Sequence, residues 1–379
     1  MTDLNSLLPS GTGWVLTQAQ AINDSGVVVG LGTYDGTQET FEFTIPSAAS
    51  ISPIAGLTVP TGVNASGEVV GYVNGGGTEN FEAVLWQSGK GLTNLGTLGG
   101  SETVASAVNS AGQVVGFSYL KGNVNSSQSF DAFLWQNGTL TNLGTLGGGY
   151  SAANGINSSG DVVGTSAIGG GAQHAFLWES GKMTDLGTLG GTSSSAYTID
   201  SADQIVGWSD NSGGQQHGFL WENGTMTDLG TLGGSTSVAV AIDNGGQIVG
   251  QSATAGGVEH AFLWQSGKMT DLGTLGGTTS NAMAINMSGQ VVGQSATSGG
   301  AEHAFLWQNG TMVDLNSLLP TGTGWVLTAA DAISDKGVVV GTGTYFGIAE
   351  TFEMTIPLTS VGTVGVISTV TSIHSELPG

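Results

Sequence analysis

The chain has 379 residues, and its 28 acids face only five lysines and no arginine, giving a formal charge of −23. Such a surface excludes DNA, RNA and anionic lipid as partners, because neutralising phosphate needs Lys and Arg, and the lack of cysteine excludes disulfides, iron–sulfur clusters and cysteine–zinc sites. The 67 glycines lack the every-third-residue spacing of collagen, and 39% hydrophobic content set in regular apolar segments argues against disorder, which leaves short strands joined by many tight turns.

The N-terminus reads MTDLNSLLPS, with neither a charged leader nor a long apolar core, so no signal peptide is expected in this stretch. No run approaches the ~20 apolar residues of a membrane span. Further on, Trp86, Trp135, Trp178, Trp221, Trp264 and Trp307 recur at spacings of 49, 43, 43, 43 and 43 residues. A period in the forties signals repeated supersecondary units.

One unit shows the pattern. Residues 281–285, 290–295, 302–308 and 311–315 read as strands A, B, C and D. Between A and B, Asn286-Met287-Ser288-Gly289 has the Asn and Gly of a type I turn, and between C and D, Asn309-Gly310 is the strongest two-residue hairpin signal. The B–C and D–A links read as longer, glycine-rich and variable. Four antiparallel strands in about 43 residues fit a propeller blade. Eight B strands end at Gly30, Gly71, Gly116, Gly164, Gly207, Gly250, Gly293 and Gly341. The expected fold is therefore all-β: an eight-bladed β-propeller of four-stranded antiparallel blades over residues 1–357, followed by a β-prone tail at 358–379.

The ends are related. Residues 2–17 read TDLNSLLPSGTGWVLT and residues 313–328 read VDLNSLLPTGTGWVLT. The chain thus begins with a D strand, and pairing residues 3–8 against the last C strand at 349–357 would close the ring and remove both sheet edges. The tail at 361–373 competes for the same slot, which would leave a terminal strand free for self-association.

The segments HAFLWQSGKMTDLGTLGG and GQVVG, repeated closely at 174–207, 217–250 and 260–293 and partially at 303–341, resemble the HAF-type bacterial extracellular repeat family. The resemblance implies an extracellular or cell-surface location and no particular reaction, so no catalytic residue follows from it.

In the C–D hairpin, His303, Phe305 and Trp307 alternate onto one side, with Ala304 and Leu306 on the other. His303 then becomes a diagonal neighbour of Asp314, as His174 is of Asp185, His217 of Asp228 and His260 of Asp271. Where Asp131 replaces the histidine, Asn142 replaces the aspartate, and Glu82 goes with Asn94. The pairs read as hydrogen-bonded braces between neighbouring blades, since four identical copies suit a structural brace and not a catalytic site. Propellers of the WD-repeat type are similar in using His, Asp and Trp this way, and the Phe/Trp stripe reads as inter-blade core. The GTLGG motif lacks a phosphate-loop lysine, so its glycines read as crossing points. Ligand-binding candidates lie on the B–C and D–A rim: Tyr34, Asp35, Tyr72, Tyr119, Lys121, Trp208, Asp210 and Tyr345. They suit stacking and hydrogen bonding to a glycan or other surface polymer. Asp35, Asp210 and Glu102 are the acids for an alternative reading as a glycan hydrolase or lyase, and self-assembly through a terminal strand is a third reading. No cofactor is expected. Calcium is a weak candidate, at Asp3 and Glu350. The sequence thus predicts a secreted, non-catalytic binding or adhesion module.

Overall fold

The computed structural model describes residues 14–22, 27–34, 37–44, 57–64, 66–74, 81–87, 89–121, 129–335 and 337–356, the backbone alone for 14–44. All eight expected sheets form, each a meander of antiparallel strands. In the worked unit, strand C (Glu302–Gln308) lies as expected, and strand A runs from Gly276 to Ile285, five residues longer than the apolar pattern. Phe305 pairs with Asp314 and Trp307 with Met312, the register set by the two-residue turn. Asn309 and Gly310 have φ of 52° and 78°, and Ser266 and Gly267 have 51° and 82°. Positive φ at both turn residues matches the right-handed strand twist, and serine adopts it where asparagine is absent.

The ring holds seven blades, not eight. Six four-stranded blades span 59–94, 99–144, 147–185, 190–228, 233–271 and 276–314, and a three-stranded seventh spans 325–355. This seventh blade packs on the first: Val340 and Ala332 join Leu57, Val69, Val84 and Trp86 in one apolar cluster. The sheet at 14–44 (Trp14–Ile22, Val27–Tyr34, Thr37–Thr44) pairs within itself, so counting B strands counts sheets and not ring members. How many blades close a ring depends on the wedge angle between sheets, which no residue pattern encodes. The closing strand expected at 3–8 and the tail at 358–379 lie outside the described residues. The closing contact that is described is blade against blade.

Each core cluster straddles two blades. Val163, Ala175 and Leu186 of the third blade meet Ala196, Ile199, Ile205 and Phe219 of the fourth. Ala and Leu of the HAFLW run therefore face the next blade while Phe and Trp face the previous one. Phe133, Phe176, Phe219, Phe262, Phe305 and Phe352 are fully buried. Loss of one such ring typically costs ~3–5 kcal/mol. Within the B strands of the seven ring blades one glycine in each leaves no room for a side chain: a Cβ on Gly250, inside Ile248–Thr254, would overlap the Val238 carbonyl of the bulged strand A.

Polar staples complete the joints. Ser237 Oγ accepts from the Gly218 N–H of the preceding blade at 2.9 Å and donates to the Gly230 carbonyl at 2.5 Å. Ser194 and Ser280 repeat this on Ala175, Gly187, Ala261 and Gly273. In the GTLGG crossing, Leu189 N–H donates to Ser209 Oγ at 2.8 Å and Gly190 takes a φ of 99°. The B–C links of the third to sixth blades differ from expectation. They are tight turns, as where Gly300 N–H donates to the Thr297 carbonyl at 2.9 Å, because small residues let strand B reverse in four positions.

Candidate functional site

All seven blades contribute to one cavity, of about 230 Å³, where the A–B turns converge on the ring axis. Its apolar wall is Val108, Ile156, Ile199, Ile242 and Ile285, the ends of successive A strands. Above these stand the first residues of the turns: Asn64, Asn109, Asn157, Asp200 and Asp243.

These side chains first serve their own turns. Asn286 Oδ1 accepts from the N–H groups of Ser288 and Gln290, both at 3.1 Å, and Asp243 Oδ1 accepts from Gly245 and Gln247 at 2.8 and 2.9 Å. Asn and Asp are equivalent acceptors here, which is why either satisfies an Asx turn. Their second atoms differ. Asn64 Nδ2 donates to the Asn109 carbonyl of the next blade at 3.0 Å, and Asn109 Nδ2 to the Asn157 carbonyl at 2.9 Å. Asn157 Nδ2 reaches Asp203 Oδ1 at 2.9 Å, and Asn286 Nδ2 reaches the Ser334 carbonyl at 3.1 Å.

At the fourth and fifth blades an acid stands in this position and has no proton to give. Asp200 Oδ1 accepts from Ala202 and Gln204, while its Oδ2 is buried without a hydrogen-bond partner. Asp200 is only 4% exposed, so an unpaired carboxylate oxygen is costly there. Burial, followed by the charges of Asp203 and Asp243, raises its pKa above the usual carboxylate value, against two backbone N–H donors that lower it. In the sequence these positions read as turn residues only. The signal was present: Asn gives way to Asp in two adjacent copies.

A second, half-buried acid sits on the inner strand of the seventh blade. Asp331 occupies the bulge between Ala330 and Ala332, and burial pushes its carboxyl up to about 6. In the first and third blades the bulge residue donates to the next blade: Thr61 Oγ1 to the Ala105 carbonyl at 2.9 Å, Asn154 Nδ2 to that of Ala196 at 2.7 Å.

The His–Asp pairs form, but within a blade and not between blades, because strands C and D belong to one sheet. Nδ1 of His174, His217 and His260 lies 2.8–3.0 Å from both oxygens of Asp185, Asp228 and Asp271, and His303 is 2.7 Å from Asp314 Oδ2. Each aspartate also accepts the N–H two residues on, as Asp228 does from Gly230 at 2.8 Å. The variants swap polarity together. Asn142 Nδ2 donates to Asp131 Oδ2 at 2.7 Å and Asn94 Nδ2 to Glu82 Oε2 at 2.6 Å, while their carbonyl oxygens hold Gly144 and Gly96. These pairs fix the D–A crossing.

The rim aromatics are largely occupied in packing. Tyr72 stands edge-on to Phe81 at 5.0 Å, Tyr119 packs on Phe117 and Phe130, and Tyr345 on Trp325 and Phe346. Trp208 Nε1 donates to Tyr197 Oη at 3.1 Å, and Asp210 Oδ2 accepts from Thr192 at 3.1 Å. Lys121 is exposed. Glu102 lends its carbonyl to Ser118 Oγ at 3.3 Å. Tyr34 and Glu350 are described as backbone, paired with Trp14 and Gly343; Asp35 and Asp3 lie outside the described residues. Among the described residues no three His, Asp or Glu side chains gather as metal ligands, and no helix is long and apolar enough to cross a membrane.

No family model and no curated protein sequence matches the chain. Among solved structures, the β-propeller domain of the Trilobed protease from Pyrococcus furiosus, described as having an open velcro topology, is similar at a TM-score of 0.55 and 11% identity, covering 88% of this chain and 100% of that one. A prolyl endopeptidase studied for its inter-domain dynamics is similar at a TM-score of 0.52 and 11% identity, covering 81% of this chain and 48% of that one. These likenesses show the propeller fold.

Proposed function

We propose that the protein is a secreted, non-catalytic binding module that takes a hydroxyl-rich ligand, a carbohydrate residue of a surface polymer, in the axial cavity. The observation that carries this is Asp200, which lines the cavity and whose Oδ2 is buried with no donor from the protein, so that a small turn of the side chain presents it to a ligand. A sugar hydroxyl supplies the missing donor, while the isoleucine ring meets the apolar face of the pyranose. A cavity of about 230 Å³ is below the ~300 Å³ at which drug-sized ligand pockets begin, so it suits one sugar unit or a chain end and not a length of polymer. This places binding on the A–B turn rim instead of the B–C and D–A rim, whose aromatics are engaged in packing. The acidic surface and the repeat resemblance support an extracellular setting.

The test is a glycan array followed by calorimetry on the best ligand, with and without EDTA. Asp200→Asn restores the amide found at the other turns, and it is expected to weaken binding at least tenfold without loss of folding. Full affinity in Asp200→Asn and Asp243→Asn, with affinity lost on replacing Trp208 or Lys121, would return the site to the opposite rim.

A further inference from the structure

The seat between the sixth and first blades is held by the seventh blade, yet the chain carries a second sheet built to the same pattern. Residues 3–46 match 314–357 at a constant offset, with 34 of 44 positions identical. The backbone agrees: Trp14 pairs with Tyr34 as Trp325 does with Tyr345, and the two register shifts of strand A fall at corresponding places.

The match covers both faces of the seventh blade. Towards the sixth blade, Trp325, Leu327, Ala330, Ile333, Val339 and Phe352 are buried against Val292, Ala304 and Leu306. Their counterparts Trp14, Leu16, Ala19, Ile22, Val28 and Phe41 are identical. Towards the first blade, Val340 and Ala332 have the identical counterparts Val29 and Ala21. A terminal unit that only capped a stack would carry polar residues at one of these two sets of positions. The copy keeps both sets apolar in sequence.

Two differences favour the copy at the junction with the first blade. The Asn amide that staples other joints is replaced in the seventh blade by Ser334, which has no amide, whereas the copy has Asn23 in that place. The bulge position that donates to the neighbouring blade at Thr61 and Asn154 is the acid Asp331 in the seventh blade and the amide Gln20 in the copy. The copy also directly precedes the first blade in the chain, where a blade in that seat belongs.

We infer that the N-terminal sheet, residues 14–44, is a second closing blade, able to take the seat between the sixth and first blades in place of residues 325–355 of the same chain. The ring then closes in two ways, each releasing the other copy as a tethered sheet.

The chain has no cysteine, so paired substitutions report the contact directly. Full-length Val84→Cys/Val340→Cys and Val84→Cys/Val29→Cys are oxidised and mapped by peptide mass spectrometry. The first pair is expected to be the major product, and the second a minor one that rises at least tenfold when Phe352→Asp is added. Phe352→Asp and Phe41→Asp alone should leave cooperative melting, and the two together should abolish it. The inference fails if the Val29 product is absent in both backgrounds, or if Phe352→Asp alone melts like the double variant. It also fails if the Val29 product joins two chains. A complete Val29 product with none at Val340 would mean a single fixed closure by the N-terminal sheet, and would overturn it equally.

Discussion

At the residue scale, the His–Asp pair is a device for holding an Asx turn at the end of strand D. The aspartate of each pair is about 27–43% exposed, so the pair itself is weakly stabilising. What it secures is the carboxylate that accepts Gly230 N–H or its equivalent. His217→Glu alone sets two carboxylates together and should cost about 1 kcal/mol, whereas His217→Glu/Asp228→Asn rebuilds the Glu82/Asn94 arrangement and should recover it. Urea unfolding of the four proteins in the cycle measures this. Asp331 behaves differently. Its folded pKa of about 6 lies above the 3.8 of a free aspartate, so the folded state holds a proton that the unfolded state releases between those values. Stability therefore falls as pH rises from about 4 to 6 and stays lower above, by about 3 kcal/mol for this group. Against wild type, Asp331→Asn should gain stability as pH rises through that window and show no difference below pH 4. Equal pH profiles for the two proteins would remove the assignment.

At the element scale, a blade is defined by its joints as much as by its strands. Ser237 accepts from one backbone group of the preceding blade and donates to another, so Ser237→Ala leaves Gly218 N–H buried and unpaired. The expected loss is about 1–3 kcal/mol in urea unfolding. An exposed serine such as Ser266, in the hairpin turn, should show a loss only through its positive φ when replaced. This serine recurs three residues after each GTLGG run, at Ser194, Ser237 and Ser280, yet the recurrence alone does not reveal its role. A hydroxyl that contacts a neighbour about 19 residues away, across a joint, has no local signature.

At the scale of the whole molecule, the ring places seven A–B turns around one axis and so makes a cavity that no single blade possesses. It also explains why two acids in adjacent repeats matter, since each alone is an ordinary turn residue. The strong negative charge fits this architecture: short, polar-edged blades tolerate acids on their rims, where water solvates them and their mutual repulsion favours solubility.

The sequence by itself determined the blade: four strands, their register, the NG hairpin, the faces taken by Phe, Trp, Ala and Leu, and the His–Asp partnership with its polarity-swapped variants. All of these are set by contacts within about 45 residues, where periodicity and turn chemistry act directly. Only the tertiary structure decided that seven blades close the ring, that the rim aromatics are spent on packing, and that Asp200 and Asp243 line one axial cavity. Those outcomes depend on how sheets wedge against one another, and a small angle repeated around a circle is carried by the summed packing of every joint and by no residue alone.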